Sequence, residues 1–439
     1  MDLYAKSDYR SCADICSRDT DNLTPFELCI YVDCLYQIWD FSRIVDMMGD
    51  VKTRTTGTKF FARTDQILRR ALMRVGRLTE AAAGLDQQDL ASADISDLLL
   101  RAEVWDALGW MDMSASAYRR AVCMNPDDPM VRLQYGFHLL KAGRILDGLE
   151  NWGVAERIFG NHPLRRHRPL WRGQPLRSKT LLIIFEHGLG DMIQFARFII
   201  PLREKWPSAR VVGRVPSVLQ GLLALSFPGV EFVSDQDEEP AYDFYVPSVQ
   251  LPMVLGARSL EPAAGYIRLG HRPAGPRGVH SDRFRLRVGI CWRGYPRQCD
   301  QVRSMPLETF STLFAAEDTE FVVLLNEVSE EEFLLLRSFE NVSIPEITNF
   351  VELAEVISEC DVILSVDTAV VHVAAAAGKP VLLLSRPDSC WRWGPSGVVS
   401  PWYPTVRILR HPVDLNWPVV LGLAAKQLEG WPCAETKPI

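Results

Sequence analysis

The stretch "SVDTAVVHVAAAAGKPV", residues 365–381, follows directly on "ECDVIL" and predicts one strand-helix-strand unit. The apolar runs "VIL" and "PVLLL" are typical of buried strands, and Asp367 can cap a helix between them that ends at Gly378. Free N–H groups and the positive end of the helix dipole meet at such a helix start, so this turn suits an anion such as a diphosphate. The alternative is that Asp367 only caps the helix and that His372 packs or faces solvent.

The bulk properties of the chain limit its class. A length of 439 residues predicts two or three domains, because single hydrophobic cores rarely grow that large. An apolar content of 47% and a charged content of 23% are typical of a soluble globular protein. The formal net charge of -7 argues against nucleic acid as a partner, since phosphate backbones require a basic surface. No uncharged apolar segment approaches about 20 residues, and the N-terminus lacks signal-peptide features, so we expect a cytoplasmic protein without a transmembrane segment.

Ten cysteines are scattered along the chain, unlike the dense pattern of small secreted disulfide scaffolds. Four of them, Cys12, Cys16, Cys29 and Cys34, stand close together, but without the two-residue gap of a zinc knuckle. They are predicted to be buried free thiols. The stretch "SDQDEE" has an Asp-x-Asp spacing and is interpreted as a solvated charge cluster in an acidic loop. The sequence therefore predicts no metal site.

The N-terminal third of the chain repeats itself with a period of about 34 residues, the length of tetratricopeptide helix pairs. Its turn positions are Asp40, Gly76, Gly109 and Gly143, at intervals of 36, 33 and 34 residues. Small residues at these turns let two antiparallel helices approach closely. Residues 1–160 therefore resemble a tetratricopeptide solenoid. Such an array offers a groove for a peptide or protein, and the alternative is a support arm or an oligomerisation element.

From Thr180 onward, short apolar runs alternate with helical stretches, which is typical of parallel α/β layers. The first group of predicted strands contains "TLLIIF", "ARVVGRV", "VEFV" and "YDFYVP". The second contains "RVGICW", "EFVVLL", "VSIPE", "DVILSV" and "PVLLL". Two doubly wound lobes form a cleft at their strand ends, where ligands bind. The predicted domains are a helical array at 1–160, a linker at 161–178, a first lobe at 179–275, a linker at 276–285, a second lobe at 286–430 and a tail at 431–439.

The turn after the first predicted strand, "EHGLGDMIQFARFI", is the candidate site of the first lobe. Gly188 and Gly190 permit a tight turn, and Asp191 begins the helix that follows, toward the cleft. The third glycine of the dinucleotide fingerprint G-x-G-x-x-G is absent, so NAD or FAD binding is not expected. Asp191 can serve as a general base or simply as a helix cap.

Four motifs in order resemble glycosyltransferase family nine, the heptosyltransferase-like GT-B enzymes: "EHGLGDMIQFARFI", "RVGICWRGYPRQCDQVRSMPLETF", "SVDTAVVHVAAAAGKPV" and "CWRWGPSGVVSPWYPTVRILR". The resemblance spans about residues 165–430 and is closer to a bacterial subgroup in which a tetratricopeptide array precedes the catalytic region. It implies a GT-B fold of two Rossmann-like lobes and inverting transfer of a sugar from a nucleotide-sugar. It also implies no cofactor besides that co-substrate and no bound metal.

The resemblance assigns roles to individual residues. Asp191 matches the candidate base of the family. The donor-binding candidates are Arg303, Asp367, Thr368, Ala369 and His372. Further candidate contacts to the sugar or the acceptor are His187, Gly188, Gly190, Gln194, Trp292, Arg392 and Trp393. Aromatic faces suit sugar or base stacking, although buried tryptophans also fill cores.

The chain departs from the family pattern at three places. His187 stands where relatives usually have Gln, and Arg293 stands where many have a small residue. The stretch "VVLLNEVSEEEF" lacks the Gln-Lys pair expected after the corresponding strand, which leaves part of donor recognition open.

These observations together predict a cytoplasmic glycosyltransferase that uses a nucleotide-sugar donor. The repeat array favours a protein acceptor, such as flagellin, recruited through its groove. One alternative is a heptosyltransferase-like enzyme that modifies lipopolysaccharide sugars. The other is a catalytically silent scaffold whose repeats bind partners, with the GT-B region a remnant.

Overall fold

The computed structural model describes residues 2–85, 90–159, 168–257, 261–270, 284–294, 303–411 and 413–432. No helix within these ranges is both long and apolar enough to cross a membrane. Residues 161–167 and 276–283, which the sequence assigns to linkers, and the tail from 433 onward lie outside the described residues. The first of two compact units comprises Met1–His138, Arg386–Ser389 and His411–Leu415, and the second comprises Leu139–Ser385, Cys390–Arg410 and Asn416–Ile439.

The first unit is helical. Its helices are α1 (Asp2–Ala5), α2 (Tyr9–Cys16), α3 (Pro25–Gln37), α4 (Phe41–Asp46), α5 (Met48–Thr55), α6 (Phe61–Arg74), α7 (Leu78–Ala82), α8 (Ile95–Ala107), α9 (Met111–Met124) and most of α10 (Pro129–Lys141). Side-chain caps fix several helix starts; Thr24 and Glu27, for example, form a reciprocal capping box at α3. Of the clustered cysteines, Cys12, Cys29 and Cys34 are buried free thiols and Cys16 is half-buried.

The repeated turns of the sequence share one backbone geometry. At each turn one residue has a left-handed φ: Trp39 at 67°, Gly76 at 83°, Gly109 at 75° and Gly143 at 78°. In each case the next N–H donates to a carbonyl five residues earlier, closing a Schellman turn. These bonds run from Asp40 to Leu35 (2.9 Å), Arg77 to Leu72 (2.8 Å), Trp110 to Trp105 (2.8 Å) and Arg144 to Leu139 (2.8 Å). The sequence period therefore corresponds to four equivalent helix-ending turns.

Residues near the C-terminus complete the turn between α6 and α7. The N-cap residue of α7, Arg77, makes no side-chain capping bond. Instead Asp414 accepts from the Thr79 backbone N–H at 3.0 Å and from the Thr79 hydroxyl at 2.9 Å. Leu415 donates its N–H to the Gly76 carbonyl at 2.9 Å. A carboxylate distant in sequence thus occupies the role of an N-cap.

Replacing Asp414 by Ala should lower the free energy of unfolding by about 1–2 kcal/mol, the usual cost of losing a helix cap. Asp414→Asn keeps one acceptor oxygen and should lose clearly less. Urea unfolding of the full chain measures both differences. Equal stability of the wild type and the Ala variant would show that this contact does not stabilise α7.

The second unit begins with the end of α10 and α11 (Ile145–Phe159), followed by a first lobe built on a parallel sheet. The lobe contains β1 (Thr180–Ile184), α12 (Leu189–Ala196), α13 (Ile199–Lys205), β2 (Arg210–Val215), α14 (Ser217–Ser226), β3 (Glu231–Ser234), β4 (Phe244–Pro247) and α15 (Leu251–Val254). Its strand order is β3-β2-β1-β4. Leu170 adds a parallel bridge to Tyr245 on β4, so the chain just before this lobe pairs with the edge of its sheet.

A second lobe carries a six-stranded parallel sheet in the order β10-β9-β8-β5-β6-β7. Its elements are β5 (Leu286–Cys291), α16 (Leu307–Phe310), β6 (Thr319–Val323), α17 (Glu330–Arg337), β7 (Val342–Ser343), α18 (Phe350–Glu359), β8 (Val362–Val366), α19 (Ala369–Ala376), β9 (Val381–Ser385), β10 (Val406–Arg410) and α20 (Trp417–Glu429). Every residue of β8 and β9 is buried, which explains the apolar runs "VIL" and "VLLL" within them.

Two helix starts differ from the sequence prediction. Helix α19 has Thr368 at its N-cap position, so Asp367 precedes the cap rather than forming it. Helix α12 has Gly188 at its N-cap position, so Asp191 is the third helical residue and does not begin the helix. In both cases the prediction chose an aspartate near the strand end as the first residue or cap of the helix. The residue with extended backbone angles, which is the actual N-cap, lies one residue after Asp367 and three residues before Asp191.

Candidate functional site

The candidate site lies where the carboxyl ends of the two sheets of the second unit meet. The chain leaves β1 through a short loop into α12, which carries Asp191. It leaves β8 through Asp367 and Thr368 into α19, and soon after β9 it reaches Arg392. Helix α12 of the first lobe packs against α19 of the second. Ligands of parallel α/β folds bind at such strand ends.

Asp191 is the centre of this group. One carboxylate oxygen accepts from the backbone N–H of Gly188 at 3.2 Å, which fixes the carboxylate across the first turn of α12. The other oxygen forms an ion pair with the guanidinium of Arg392 from the second lobe. The two side chains are only 12% and 13% exposed. The structure therefore joins two motifs that lie 201 residues apart in the sequence.

Arg392 is held in an apolar setting. Its guanidinium carbon lies 4.5 Å from the centre of the Trp391 ring, and Nη1 contacts the Cys390 sulfur. Burial lowers the pKa of Arg392 to about 10, so the side chain remains a cation at neutral pH. Its Nε is buried without a hydrogen-bond partner among the described residues. A buried cation with an unused donor is suited to bind an anion.

The start of α19 presents backbone donors. Thr368 occupies the N-cap position but makes no side-chain capping bond. Its hydroxyl instead lies 3.2 Å from the Ser365 hydroxyl and 3.6 Å from the Cys291 sulfur, both behind the helix start. Helix α19, which begins at Ala369, is therefore not capped by its own N-terminal side chain, and its first N–H groups and dipole favour an anion.

Charged side chains near Cys390 place Arg303 and Asp367 in the same neighbourhood. Burial raises the pKa of the Cys390 thiol to about 12, and the charge of Asp367 adds to that rise. The positive charge of Arg303 acts in the opposite direction on the same thiol and also lowers the pKa of His372. The two donor-binding candidates are thus close enough to the site to change its electrostatics.

His372 connects the two lobes from within. The ring is 3% exposed, and its Nδ1 lies 2.8 Å from the Tyr403 hydroxyl. A Cβ placed on Gly190 would lie 2.5 Å from Cδ2 of this ring and 2.9 Å from Nε2. Gly190 is therefore needed for the close approach of α12 to α19, and His372 lies behind the site rather than on its surface. The same packing brings the turn that contains Gly188, Gly190 and Asp191 next to the second lobe.

Burial, with the charges of Arg197 and Arg303, lowers the pKa of His372 to about 3 from its ordinary 6.5. In the unfolded chain His372 therefore binds a proton near pH 6.5, whereas in the folded protein it binds this proton only near pH 3. Stability should fall as the pH drops through this window, by about 1.4 kcal/mol per pH unit for this one proton. The difference in unfolding free energy between the wild type and His372→Asn, followed from pH 7 to pH 5, measures this dependence. A constant difference would show that His372 titrates normally.

Arg197 is a residue that the sequence analysis did not select. It is 6% exposed and donates to the Trp402 carbonyl at 3.0 Å and to the Tyr266 hydroxyl at 3.3 Å. Its guanidinium carbon lies 4.9 Å from the Tyr403 ring centre. No ion pair to Arg197 occurs within the described part of the chain, so its charge is stabilised by aromatic faces and carbonyls. The available signal was a lone arginine in the apolar run "MIQFARFII".

An aromatic cluster lines the loop before α12. His187 has a left-handed φ of 72°, which is unusual for a residue other than glycine. Its ring centre lies 4.7 Å from that of Trp152 on α11, and Trp152 lies 6.4 Å from Trp391. Trp152, which lies within the segment 1–160 that the sequence assigns to the helical array, thus contacts the loop that carries the candidate site.

Three aromatic or amide candidates are buried. Trp292 is 1% exposed, packs 6.1 Å from Phe310 and donates its indole N–H to Glu332 at 3.1 Å, so it does not join the group around Asp191. Trp393 is fully buried, 5.4 Å from the His372 ring. The amide of Gln194 is also fully buried, without a hydrogen-bond partner in the described residues.

Two of the departures from the family pattern prove to be in contact. Arg293 forms a two-point ion pair with Glu332, at 2.7 and 2.8 Å, and donates to the Glu327 carbonyl at 2.8 Å. The pKa of Glu332 is lowered by these bonds in spite of burial, which acts in the opposite direction. Arg293 therefore fixes the segment after β6, where the expected Gln-Lys pair is absent.

The acidic stretch after β3 forms a turn. Asp237 accepts from the Ser234 backbone N–H at 2.7 Å, and Asp235 is exposed. Among the described residues, no group of three or more His, Cys, Asp or Glu side chains is arranged to hold a metal ion.

Comparison with known proteins identifies part of the second lobe. Residues 312–411 match the sequence model of glycosyltransferase family 9 (heptosyltransferase). The matched stretch contains Asp367, His372 and Arg392, whereas Asp191 and Arg303 precede it. The chain therefore carries a glycosyltransferase region related to heptosyltransferases.

One curated relative is the protein FlbA of Caulobacter vibrioides, which is 25% identical over 352 residues. The match covers 69% of this chain and 56% of FlbA, so the chain spans little more than half the length of that relative. Among solved structures, the E. coli heptosyltransferase WaaC with ADP is 14% identical, covers 57% of this chain and 98% of its own, and has a TM-score of 0.37. The E. coli ADP-heptose lps heptosyltransferase II is 18% identical, with coverages of 57% and 100% and a TM-score of 0.39.

Proposed function

We propose that this protein is an inverting glycosyltransferase that moves a sugar from a nucleotide-sugar to an acceptor hydroxyl. The observation that carries the proposal is the ion pair between Asp191 of the first lobe and Arg392 of the second. It places a carboxylate and a cation side by side at the ends of both sheets, and Arg392 lies inside the region matched to glycosyltransferase family 9. Transfer of this kind needs a base and a positive leaving-group site close together.

In the proposed reaction, Asp191 takes the proton of the acceptor hydroxyl. The hydroxyl oxygen forms a bond to the anomeric carbon while the bond from that carbon to the diphosphate oxygen breaks, and the electron pair leaves with the nucleotide. Attack opposite the leaving group inverts the anomeric centre. The partly buried position of Asp191 supports this role, since general bases work best where water is excluded.

The leaving diphosphate would be bound by the second lobe. The N–H groups at Thr368 and Ala369, the α19 dipole and the charge of Arg303 supply positive potential there. A carboxylate repels a diphosphate, so we assign Asp367 to hydroxyl groups of the donor. We expect this set of groups to replace a divalent metal, so that transfer persists in EDTA. His372, buried against Gly190, would act by holding α12 in place.

The acceptor is proposed to be a protein, such as flagellin, recruited by the helical unit. Three of the four equivalent helix-ending turns, at Trp39, Gly76 and Gly109, lie in that unit and support a tetratricopeptide groove. The contact of Trp152 on α11 with His187 supports an acceptor path that starts at helical residues and ends at Asp191. A lipopolysaccharide sugar is the second candidate acceptor, favoured by the heptosyltransferase description of the matched family.

The first test is a thermal-shift screen of the full chain against UDP, GDP, ADP and CMP. A ligand at 100 times its dissociation constant should add about 2.7 kcal/mol of apparent stability. Arg303→Gln should lose the response to the active nucleotide. Arg407→Gln, which changes an exposed arginine on β10, should retain it. If no nucleotide stabilises the wild type, the transferase proposal is wrong and a scaffold role is favoured.

A further inference from the structure

The pairing of Asp191 with Arg392 is incompatible with Asp191 acting as a base in the same state. A carboxylate that accepts from a guanidinium has one oxygen occupied, and the adjacent positive charge makes it less ready to take up a proton. Its other oxygen accepts from the Gly188 N–H at 3.2 Å. Both oxygens of Asp191 therefore have partners in the structure.

Arg392 has the contacts of a side chain that can exchange partners. One outer nitrogen lies on Asp191, the other contacts the Cys390 sulfur, and Nε has no partner in the described residues. The ring of Trp391, 4.5 Å from the guanidinium carbon, keeps the guanidinium plane in place while its partners change. A diphosphate offers more negative charge and more acceptor oxygens than one carboxylate, so it competes well with Asp191 for the Arg392 guanidinium.

We propose that Arg392 is a donor-operated latch on the catalytic base. In the absence of donor it holds Asp191. When the donor binds, its diphosphate draws the guanidinium away, and Asp191 is released to accept the proton of the acceptor hydroxyl. This inference rests on the proposed transferase function and adds to it an order of events, in which donor binding precedes activation of the acceptor.

The placement of the positive groups supports this exchange. Arg303 and the start of α19 lie in the second lobe, as does Arg392, whereas Asp191 lies in the first. A diphosphate bound to the second lobe thus meets Arg392 on the donor side of the site. Once Arg392 has moved to the diphosphate, Asp191 keeps the hydrogen bond from the Gly188 N–H. Because its side chain is largely buried and no longer paired with a cation, the carboxylate accepts a proton more readily.

Other titratable or charged groups surround the pair. They are Lys141 on α10, Glu186 and His187 in the loop before α12, Arg197 at the end of α12, Arg303 and Asp367 in the second lobe, His372 on α19, Cys390 next to Arg392, and Tyr403. Any titratable group in this set can change its protonation when a nucleotide binds. The contribution of Asp191 is therefore isolated only by comparing variants.

The test is proton uptake on nucleotide binding, measured by titration calorimetry at pH 5.0–6.0 in buffers of different ionisation enthalpy. UDP, GDP and ADP are each used as probes, without acceptor. The wild type should take up a fraction of a proton more per bound nucleotide than Asp191→Asn does. Arg392→Gln should bind more weakly and lose this extra uptake, because its Asp191 is unpaired in both states. Arg392→Lys keeps a cation and should retain part of it.

The matched control is Arg210→Gln, which breaks an exposed ion pair with Glu231 in the same lobe as Asp191 and should leave uptake unchanged. If the wild type and Asp191→Asn bind a nucleotide with equal proton uptake, the latch is overturned while the donor site stands. Equal uptake by Arg392→Lys and Asp191→Asn in the presence of binding also overturns it. If no nucleotide binds the wild type, the proposed function itself fails and the latch fails with it.

Discussion

Asp191→Asn should lower the rate of sugar transfer by about 10²–10⁴-fold, the usual contribution of a positioned general base. Asparagine has the same shape but cannot take up the hydroxyl proton. Nucleotide affinity should be kept or rise, because the proposed diphosphate contacts belong to the second lobe and asparagine competes less strongly than aspartate for Arg392. The measurement is the initial rate of transfer at saturating donor, together with nucleotide binding by calorimetry.

The matched control for this change is Asp235→Asn, which alters an exposed carboxylate after β3 and should leave transfer unaffected. If Asp191→Asn retains the wild-type transfer rate, Asp191 is not the general base, and its role is limited to the hydrogen bond at the start of α12. A variant that also loses nucleotide binding would show that the carboxylate supports the structure of the donor site.

Gly190→Ala should destabilise the protein by about 1–3 kcal/mol, the typical cost of overpacking a close contact. The new Cβ would lie 2.5 Å from the His372 ring, well inside normal contact distance. The ring has little freedom to move, because Tyr403 binds its Nδ1 at 2.8 Å and Trp393 lies 5.4 Å from it. The two lobes must therefore separate locally, and Asp191 moves with the adjacent backbone. Transfer should fall together with stability.

Gly422→Ala is the matched control for Gly190→Ala. Gly422 lies within α20, and an added Cβ meets nothing within 4 Å, so Ala should stabilise the helix by up to about 1 kcal/mol. The double variant Gly190→Ala with His372→Ala removes the ring that causes the clash. Its destabilisation should be smaller than the sum of the single effects, as expected for residues in contact. Strict additivity would place the cause of the Gly190 effect elsewhere.

Most strands could be predicted because central parallel strands are apolar along their whole length. The nine predicted strands all occur, with ends shifted by a few residues. The tenth, β10, was not predicted, because Arg407 and Arg410 interrupt its apolar pattern at the edge of the sheet. Three of the four repeated turns could be placed because glycine is favoured where φ is positive, whereas the first has Trp39 at that position.

The candidate site was only partly predictable. Asp191 and Arg392 each lie in a recognisable motif, but no local pattern reveals that they meet, since pairing is decided by how the two lobes pack. Trp292 was a candidate contact to the sugar or the acceptor on the basis of the family resemblance, yet its indole packs on Phe310 inside the lobe. Arg197 was overlooked because a buried arginine without a carboxylate is rare and depends on aromatic neighbours far away in the chain.

The turn between α6 and α7 also constrains how this protein can change through evolution. A Cβ on Gly76 would lie 2.3 Å from the Cβ of Leu415, and Thr79 and Asp414 satisfy each other's hydrogen bonds. A side chain at position 76 would be tolerated only with a different backbone path at 415. Positions 76 and 415, and positions 79 and 414, should therefore co-vary among close relatives, and a chimera that exchanges only the first 138 residues should inherit mismatched pairs.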